Sequence, residues 1–266
     1  MRAFEYHRPS TTKDALGLGS QKSDGKYLAG GQSLVQAMKL RLASPSDLID
    51  LGTLKELSFI KATGNGVEIG AMTRHADVAG SADVKKAIPA LAALAGMIGD
   101  RQVRHMGTIG GSLANSDPAA DYPAAVLGLG ATITTNKRKI EADQFFKGLY
   151  ETALEASELI TAVSFPAPKR AAYMKFKNPA SRFAIVGVFV ADFGGGKVRV
   201  GVTGAGASAF RQAEMEKALA AKFAPEAVAG IKVKPEGLNN DLHASPEYRA
   251  HLITVMCKRA VEAATK

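Results

Sequence analysis

Reactive side chains are scarce in this sequence. A single cysteine, Cys257, stands in 266 residues, and tryptophan is absent. One thiol excludes a disulfide framework. It also excludes an iron–sulfur cluster ligated by this chain alone, which needs several thiolates. Cys257 lies among Ile253, Val255, Met256 and Val261, the setting of a packed core thiol. The histidines, His7, His75, His105, His243 and His251, have no H-E-x-x-H or similar ligand spacing, so no metal site is expected. His105, just before a glycine pair, reads as a support for that segment. No G-x-S-x-G and no nucleophile with an evident base partner occurs, which argues against hydrolytic chemistry. The opening segment, Met1 to His7, has no apolar run, and no stretch of about eighteen apolar residues occurs anywhere. Neither a signal peptide nor a membrane span is predicted, and a cytoplasmic location follows by default. The net charge of +9 is basic, yet the cations are scattered and no nucleic-acid motif accompanies them. A basic face for an acidic protein partner, or plain solubility, fits better.

Two glycine stretches carry the positive signal. Tyr27-Leu28-Ala29 reads as a short strand and Gly30-Gly31-Gln32 as a turn. Ser33 to Leu42 reads as an amphipathic helix and Leu48 to Leu51 as a second strand. This small βαβ unit places a glycine loop at a helix start, which suits an anion. The second stretch is Thr108-Ile109-Gly110-Gly111-Ser112-Leu113-Ala114-Asn115-Ser116-Asp117-Pro118-Ala119-Ala120-Asp121. Its glycines predict a sharp turn with positive φ, and Pro123 makes Asp121 the expected N-cap of a helix running to about Leu129. Asp117, before Pro118, reads as a local turn. Alone, the second glycine pair favours the plainer reading of a tight turn before a helix. Together, two such loops could grip the two ends of one diphosphate.

The rest of the chain reads as mixed α+β. Phe59–Ala62 with Val67–Gly70, and Ala131–Thr135 with Lys139–Ala142, read as hairpins. Thr73–Ala79 reads as a helix that Thr73 begins, Asp83–Ile98 as a helix interrupted at Pro89, and Leu159–Phe165 as a strand. Pro166-Ala167-Pro168 marks a boundary. Beyond it, Ala172–Phe176, Ile185–Phe193 and Lys197–Val202 read as three strands, with Gly194-Gly195-Gly196 joining the last two. Helices are predicted over Phe210–Lys222, Pro225–Val228 and from Ser245, the cap, to about Ala264. Gly204-Ala205-Gly206-Ala207-Ser208-Ala209 fits a dinucleotide fingerprint, but the strand before it closes a hairpin and no ribose-binding acid follows in order. It reads as a structural turn. The expected organisation is residues 1–167, subdivided at 53, followed by residues 168–266 with antiparallel strands and packed helices.

The segments Leu28-Ala29-Gly30-Gly31-Gln32-Ser33-Leu34 and Thr108 to Asp121 resemble the two FAD loops of the flavoprotein (medium) subunit of molybdenum hydroxylases, the family of carbon monoxide dehydrogenase and xanthine dehydrogenase. The resemblance continues through Ile69-Gly70-Ala71-Met72-Thr73, Gln102-Val103-Arg104, Glu158-Leu159-Ile160, Lys175-Phe176-Lys177 and Gly201-Val202-Thr203-Gly204. It implies FAD bound by Leu28–Leu34 and Thr108–Ser112, with Asp121 near the adenosine part. It further implies Ile160 in contact with FAD, and Lys177 and Phe183 near the flavin. Many members have Asp-aromatic-Ala where Arg182-Phe183-Ala184 stands here. The resemblance also implies [2Fe–2S] clusters on a small partner subunit and molybdopterin on a large one, in a dimer of heterotrimers. A free-standing FAD-dependent oxidase and a non-catalytic nucleotide-binding scaffold are the alternative readings.

Overall fold

The computed structural model describes residues 1–266. A small parallel sheet comes first. It is built from β1 (Glu5–His7), α1 (Thr12–Gln21), β2 (Lys26–Leu28), α2 (Leu34–Lys39) and β3 (Asp47–Asp50), with strand order β1-β3-β2. The βαβ unit is present as the sequence predicts, with one more strand and helix ahead of it. Ile49 on β3 packs with Ala15 of α1 and with Leu51, Leu54, Leu57 and Leu159 in a small separate core. Helix α2 stops at Lys39, short of the expected Leu42, and Arg41 takes φ +61°. Leu40 and Leu42 then stand exposed, so their apolar spacing does not reflect burial.

The middle of the chain contributes β4 (Ile60–Thr63), β5 (Gly66–Gly70), α3 (His75–Gly80), α4 (Ala82–Ala87), α5 (Pro89–Gly96), α6 (Arg101–Met106), α7 (Ile109–Asn115), α8 (Tyr122–Leu129), β6 (Thr132–Thr135), β7 (Lys139–Glu141), α9 (Ala142–Phe145), β8 (Phe146–Gly148), β9 (Glu151–Thr152) and β10 (Ile160–Pro166). Five of these strands form an antiparallel sheet in order β4-β5-β10-β6-β7, while β8 and β9 pair apart. Both predicted hairpins are in the sheet, and β10 is its central strand. Pro89 separates α4 from α5 and sits at the first turn of α5, where a missing N–H costs nothing. Thr73 does not cap α3. Its hydroxyl instead bonds both backbone groups of Phe59, and Arg74 occupies the cap position.

The last part holds β11 (Arg170–Lys177), β12 (Ala184–Asp192), β13 (Val198–Thr203), β14 (Phe210–Arg211), α10 (Ala213–Ala221), α11 (Pro225–Ala229) and α12 (Pro246–Ala264). Its antiparallel sheet has the order β11-β12-β13-β14. The three expected strands are there. The short β14 takes the first residues of the segment expected to be wholly helical. Gly194, Gly195 and Gly196 all have positive φ, which explains three glycines in one turn. Ser245 caps α12 by accepting from the Tyr248 N–H at 3.3 Å.

Helix α8 joins the two larger sheets. All eight of its residues are buried, because α12 covers one face of the third sheet and α8 lies against the other. Strand β12 is buried along all nine residues and reads as a nearly continuous apolar run for that reason. Gly201 allows the close approach of β13, since a Cβ there would stand 2.2 Å from the Ala124 carbonyl oxygen of α8. Tyr173, Phe189 and Ala191 thus join the same core cluster as Ile109, Leu113 and Val163. Cys257 is fully buried in the other core, and burial pushes its thiol up to about 12, as expected for a packing residue.

Candidate functional site

The first glycine loop leaves β2 at Leu28 and enters α2. Gly31 has φ +71°, in the turn that the sequence predicts there. The backbone N–H groups of Gly30, Gly31, Gln32 and Ser33 donate to no acceptor in the chain. The Ser33 side chain makes no capping bond either. Four consecutive free donors, half-exposed at Gly30, Gly31 and Gln32 and exposed at Ser33, form a cradle for an anion.

The second loop differs from expectation. Gly110 and Gly111 lie inside α7, and neither has positive φ. The sharp turn comes later, at Ser116, whose φ of +46° ends the helix. The donors here are already used: Ile109 to the Thr73 carbonyl, Gly110 to the Ala71 carbonyl at 2.8 Å, and Gly111 to the Thr108 hydroxyl at 3.1 Å. Thr108 is therefore the helix cap. The two glycines serve packing. A Cβ on Gly110 would lie 2.5 Å from the Ala71 methyl, and one on Gly111 would lie 3.3 Å from the Ala29 methyl.

The two loops meet. A Cβ on Gly30 would stand 2.0 Å from the Met106 carbonyl oxygen and 2.7 Å from Gly107 Cα. Gly30 thus abuts the segment leading into α7, and Gly111 faces Ala29. The structure brings together segments about 80 residues apart in sequence, as a shared ligand requires. Gly111 and Ser112 stay half-exposed, while Thr108, Ile109 and Gly110 are buried behind them.

Asp121 precedes α8 but does not cap it. Its backbone is already helical and its side chain makes no capping bond. The carboxylate is buried and accepts from the Tyr173 hydroxyl at 2.6 Å and from Lys175 Nζ at 2.9 Å. Burial raises the Asp121 pKa, and Lys175 and Tyr173 oppose that shift. Lys175 also donates to the Met97 carbonyl. Sequence reading missed this cluster, although Tyr173 and Lys175 stand two apart on one face of β11. Asp117 makes the expected local turn, accepting from the Ala119 N–H at 2.8 Å.

The other expected site residues spread around this centre. Ile160 begins β10 and is buried in the main core. Its neighbour Thr161 accepts from Ala71, whose own carbonyl accepts from Gly110. Lys177 ends β11, exposed and without an ion-pair partner. Phe183 is half-exposed beside Pro118 and Ala119, on the rim of a cleft of about 160 Å³. Arg182, at φ +63°, points its guanidinium at the Gly99 carbonyl, which Arg104 also reaches. The Gly204 turn is structural: Gly204 N–H and the Thr203 hydroxyl both bond the Pro118 carbonyl, and β14 follows it rather than a helix. His105 is exposed, and the imidazole behind the second loop belongs to His75.

Comparison with known sequences gives this arrangement its context. A family model described as the FAD binding domain in molybdopterin dehydrogenase matches residues 2–168. The chain belongs to this family. As an FAD-binding subunit of the molybdenum hydroxylase type, it is 36% identical to the nicotine 6-hydroxylase medium subunit of Paenarthrobacter nicotinovorans, across 97% of this chain and 96% of that protein. It is also 36% identical to the carbon monoxide dehydrogenase medium chain of Hydrogenophaga pseudoflava, across 98% and 96%. Among solved structures, reconstituted CO dehydrogenase from Oligotropha carboxidovorans superposes with a TM-score of 0.91 at 34% identity, covering 99% of this chain and 98% of that one. FAD is the cofactor. The residues present fit it, since the unpaired N–H groups of Gly30–Ser33 suit a diphosphate. No helix is long and apolar enough to cross a membrane.

Proposed function

We propose that this chain holds FAD in the electron path of a heteromeric molybdenum hydroxylase. On this reading the FAD lies between [2Fe–2S] clusters on a small partner subunit and an external acceptor. Molybdopterin belongs to a large partner subunit, and the whole is a cytoplasmic dimer of heterotrimers. The observation that carries the reading is the match to medium chains over nearly their full length, by a chain with one buried cysteine. Such a chain has no thiolates for clusters, so an iron–sulfur partner of FAD would sit on another subunit.

FAD supplies the redox chemistry when bound. The chain's residues bind and orient it. Gly30–Ser33 would hold the diphosphate through backbone donors, with Leu28, Ala29 and Leu34 shaping the first loop. Thr108 caps α7 and sets Gly111 and Ser112 at the same cleft, while Ile109, Gly110 and Ile160 back them from the core. Asp121 fixes the far end of the second motif through Tyr173 and Lys175. Lys177 and Phe183 flank the flavin from the β11–β12 hairpin. That hairpin is tied to the second motif, since the Ala184 N–H donates to the Ala119 carbonyl.

Purification of the complex from its native host tests this. The expected preparation contains FAD, iron, labile sulfide and molybdenum, and its flavin bleaches on adding the substrate of the large subunit. A flavin-loaded chain that turns over substrate and oxygen without any partner would establish the free-standing oxidase instead. A folded chain devoid of flavin would establish the scaffold.

A further inference from the structure

We propose that His75 is a positioning residue for FAD, whose ring sets the gap between the two loops by holding the Gly107 backbone against Gly30. Three groups are in contact here. The His75 backbone N–H donates to the Gly107 carbonyl at 3.0 Å. A Cβ on Gly107 would lie 2.5 Å from His75 Nε2 and 2.8 Å from its Cδ2. A Cβ on Gly30 would in turn lie 2.7 Å from Gly107 Cα. The ring and Gly30 both crowd the Gly107 backbone, with no room for a methyl group at either glycine.

The chemistry of the ring supports a role in spacing. His75 is only 4% exposed, and its ring centroid is 5.4 Å from that of Tyr122. Its Nδ1 and the Tyr122 hydroxyl are both buried with no hydrogen-bond partner. Burial, and secondarily the nearby Arg104 charge, lower the His75 pKa to about 4. The ring is therefore uncharged at neutral pH and does not attract an anion. What the imidazole provides is its size and flatness at this one contact. The inference rests on FAD binding at the two loops.

The test is equilibrium titration of the full-length apoprotein with FAD, followed by flavin fluorescence, with folding checked by circular dichroism. Gly107→Ala should weaken binding by about tenfold or more, because the methyl group drives Gly107 into Gly30 or away from it. His75→Ala alone should weaken it several-fold with the fold intact. The double variant His75→Ala/Gly107→Ala should bind more tightly than Gly107→Ala, because the vacated ring space accepts the methyl group. If Gly107→Ala does not fold, His75→Phe takes its place, and its larger ring should weaken FAD binding in a folded protein. Purely multiplicative losses in the double variant, or unchanged binding in folded Gly107→Ala or His75→Phe, would overturn the assignment of His75. Gly31→Val separates the two levels. If it loses FAD while the His75 and Gly107 variants do not, only the role of His75 fails. If folded Gly31→Val keeps FAD, the loop assignment itself fails.

Discussion

Glycines at this site serve three different physical ends. Gly31 is required for its left-handed backbone, Gly30 for the contact with Met106 and Gly107, and Gly110 and Gly111 for helix packing against Ala71 and Ala29. Sequence reading locates all four and assigns the wrong reason to the second pair. A glycine pair states that side chains are excluded, but it does not say whether a turn or a neighbour excludes them. Asp121 shows the same limit. Its position before Pro123 is that of a helix cap, yet its partners lie some fifty residues later on β11 and no local pattern reveals them. Removing its charge leaves the buried Lys175 ammonium without a counter-ion. Asp121→Asn should therefore destabilise the protein by about 3–5 kcal/mol, the range for breaking a buried pair. Chemical denaturation measures this, and a loss no larger than that of an exposed ion pair would remove the cluster as a link between the two larger sheets.

At the scale of elements, hairpins and capped helices are the most legible features, because turn residues and caps act locally. Both hairpins of the second sheet, the Pro89 interruption and the Ser245 start of α12 are where the sequence places them. Strand β14 was not legible, since two residues gain strand character only by pairing with β13. The β6–β7 turn carries a titratable lock. Glu158 accepts from the Thr135 hydroxyl at 2.7 Å, from Arg138 Nε at 3.1 Å and from the Glu155 N–H at 2.8 Å. Burial alone would raise its pKa, but these donors and the Arg138 charge outweigh it and hold the carboxyl at about 2. The folded value lies below the ordinary value of 4.5, so the stabilisation is full above about pH 4.5 and lost as the pH falls towards 2. The difference in Tm between wild type and Glu158→Gln should thus be greatest near neutrality and shrink across that window. Calorimetry at several pH values checks it, and a pH-independent difference would contradict the lock. On the β11–β12 hairpin, an ammonium beside a reduced flavin would be worth on the order of a few kcal/mol at an effective dielectric of about 20, before solvation offsets. Lys177→Met should lower the flavin midpoint in a potentiometric titration while FAD content stays at the wild-type level. An unchanged midpoint with FAD fully bound would take Lys177 away from the flavin.

For the whole molecule, the central feature is that a parallel βαβ unit and a helical segment inserted between β5 and β6 of the antiparallel sheet bring two loops into contact. The first offers free donors and the second supplies a self-capped wall that fixes the first in place. Their pairing was legible from two motifs of matching type, but their contact through Gly30, Met106 and Gly107 emerges only in three dimensions. The substrate pocket lies outside this chain on the reading above, which is why nothing in its residues names a substrate. With its one cysteine buried in the C-terminal core, the chain offers no thiol near either loop, and FAD should be released by acid precipitation. The most direct measurement is equilibrium titration of the full-length apoprotein with FAD, wild type beside Gly31→Val and Gly111→Val. The account predicts one non-covalent FAD per chain in the wild type. Both variants should remain folded and bind at least about tenfold more weakly, because one strains a left-handed backbone and the other fills the space facing Ala29. A folded Gly31→Val or Gly111→Val that binds FAD as tightly as the wild type would contradict the claim that both loops hold the same cofactor.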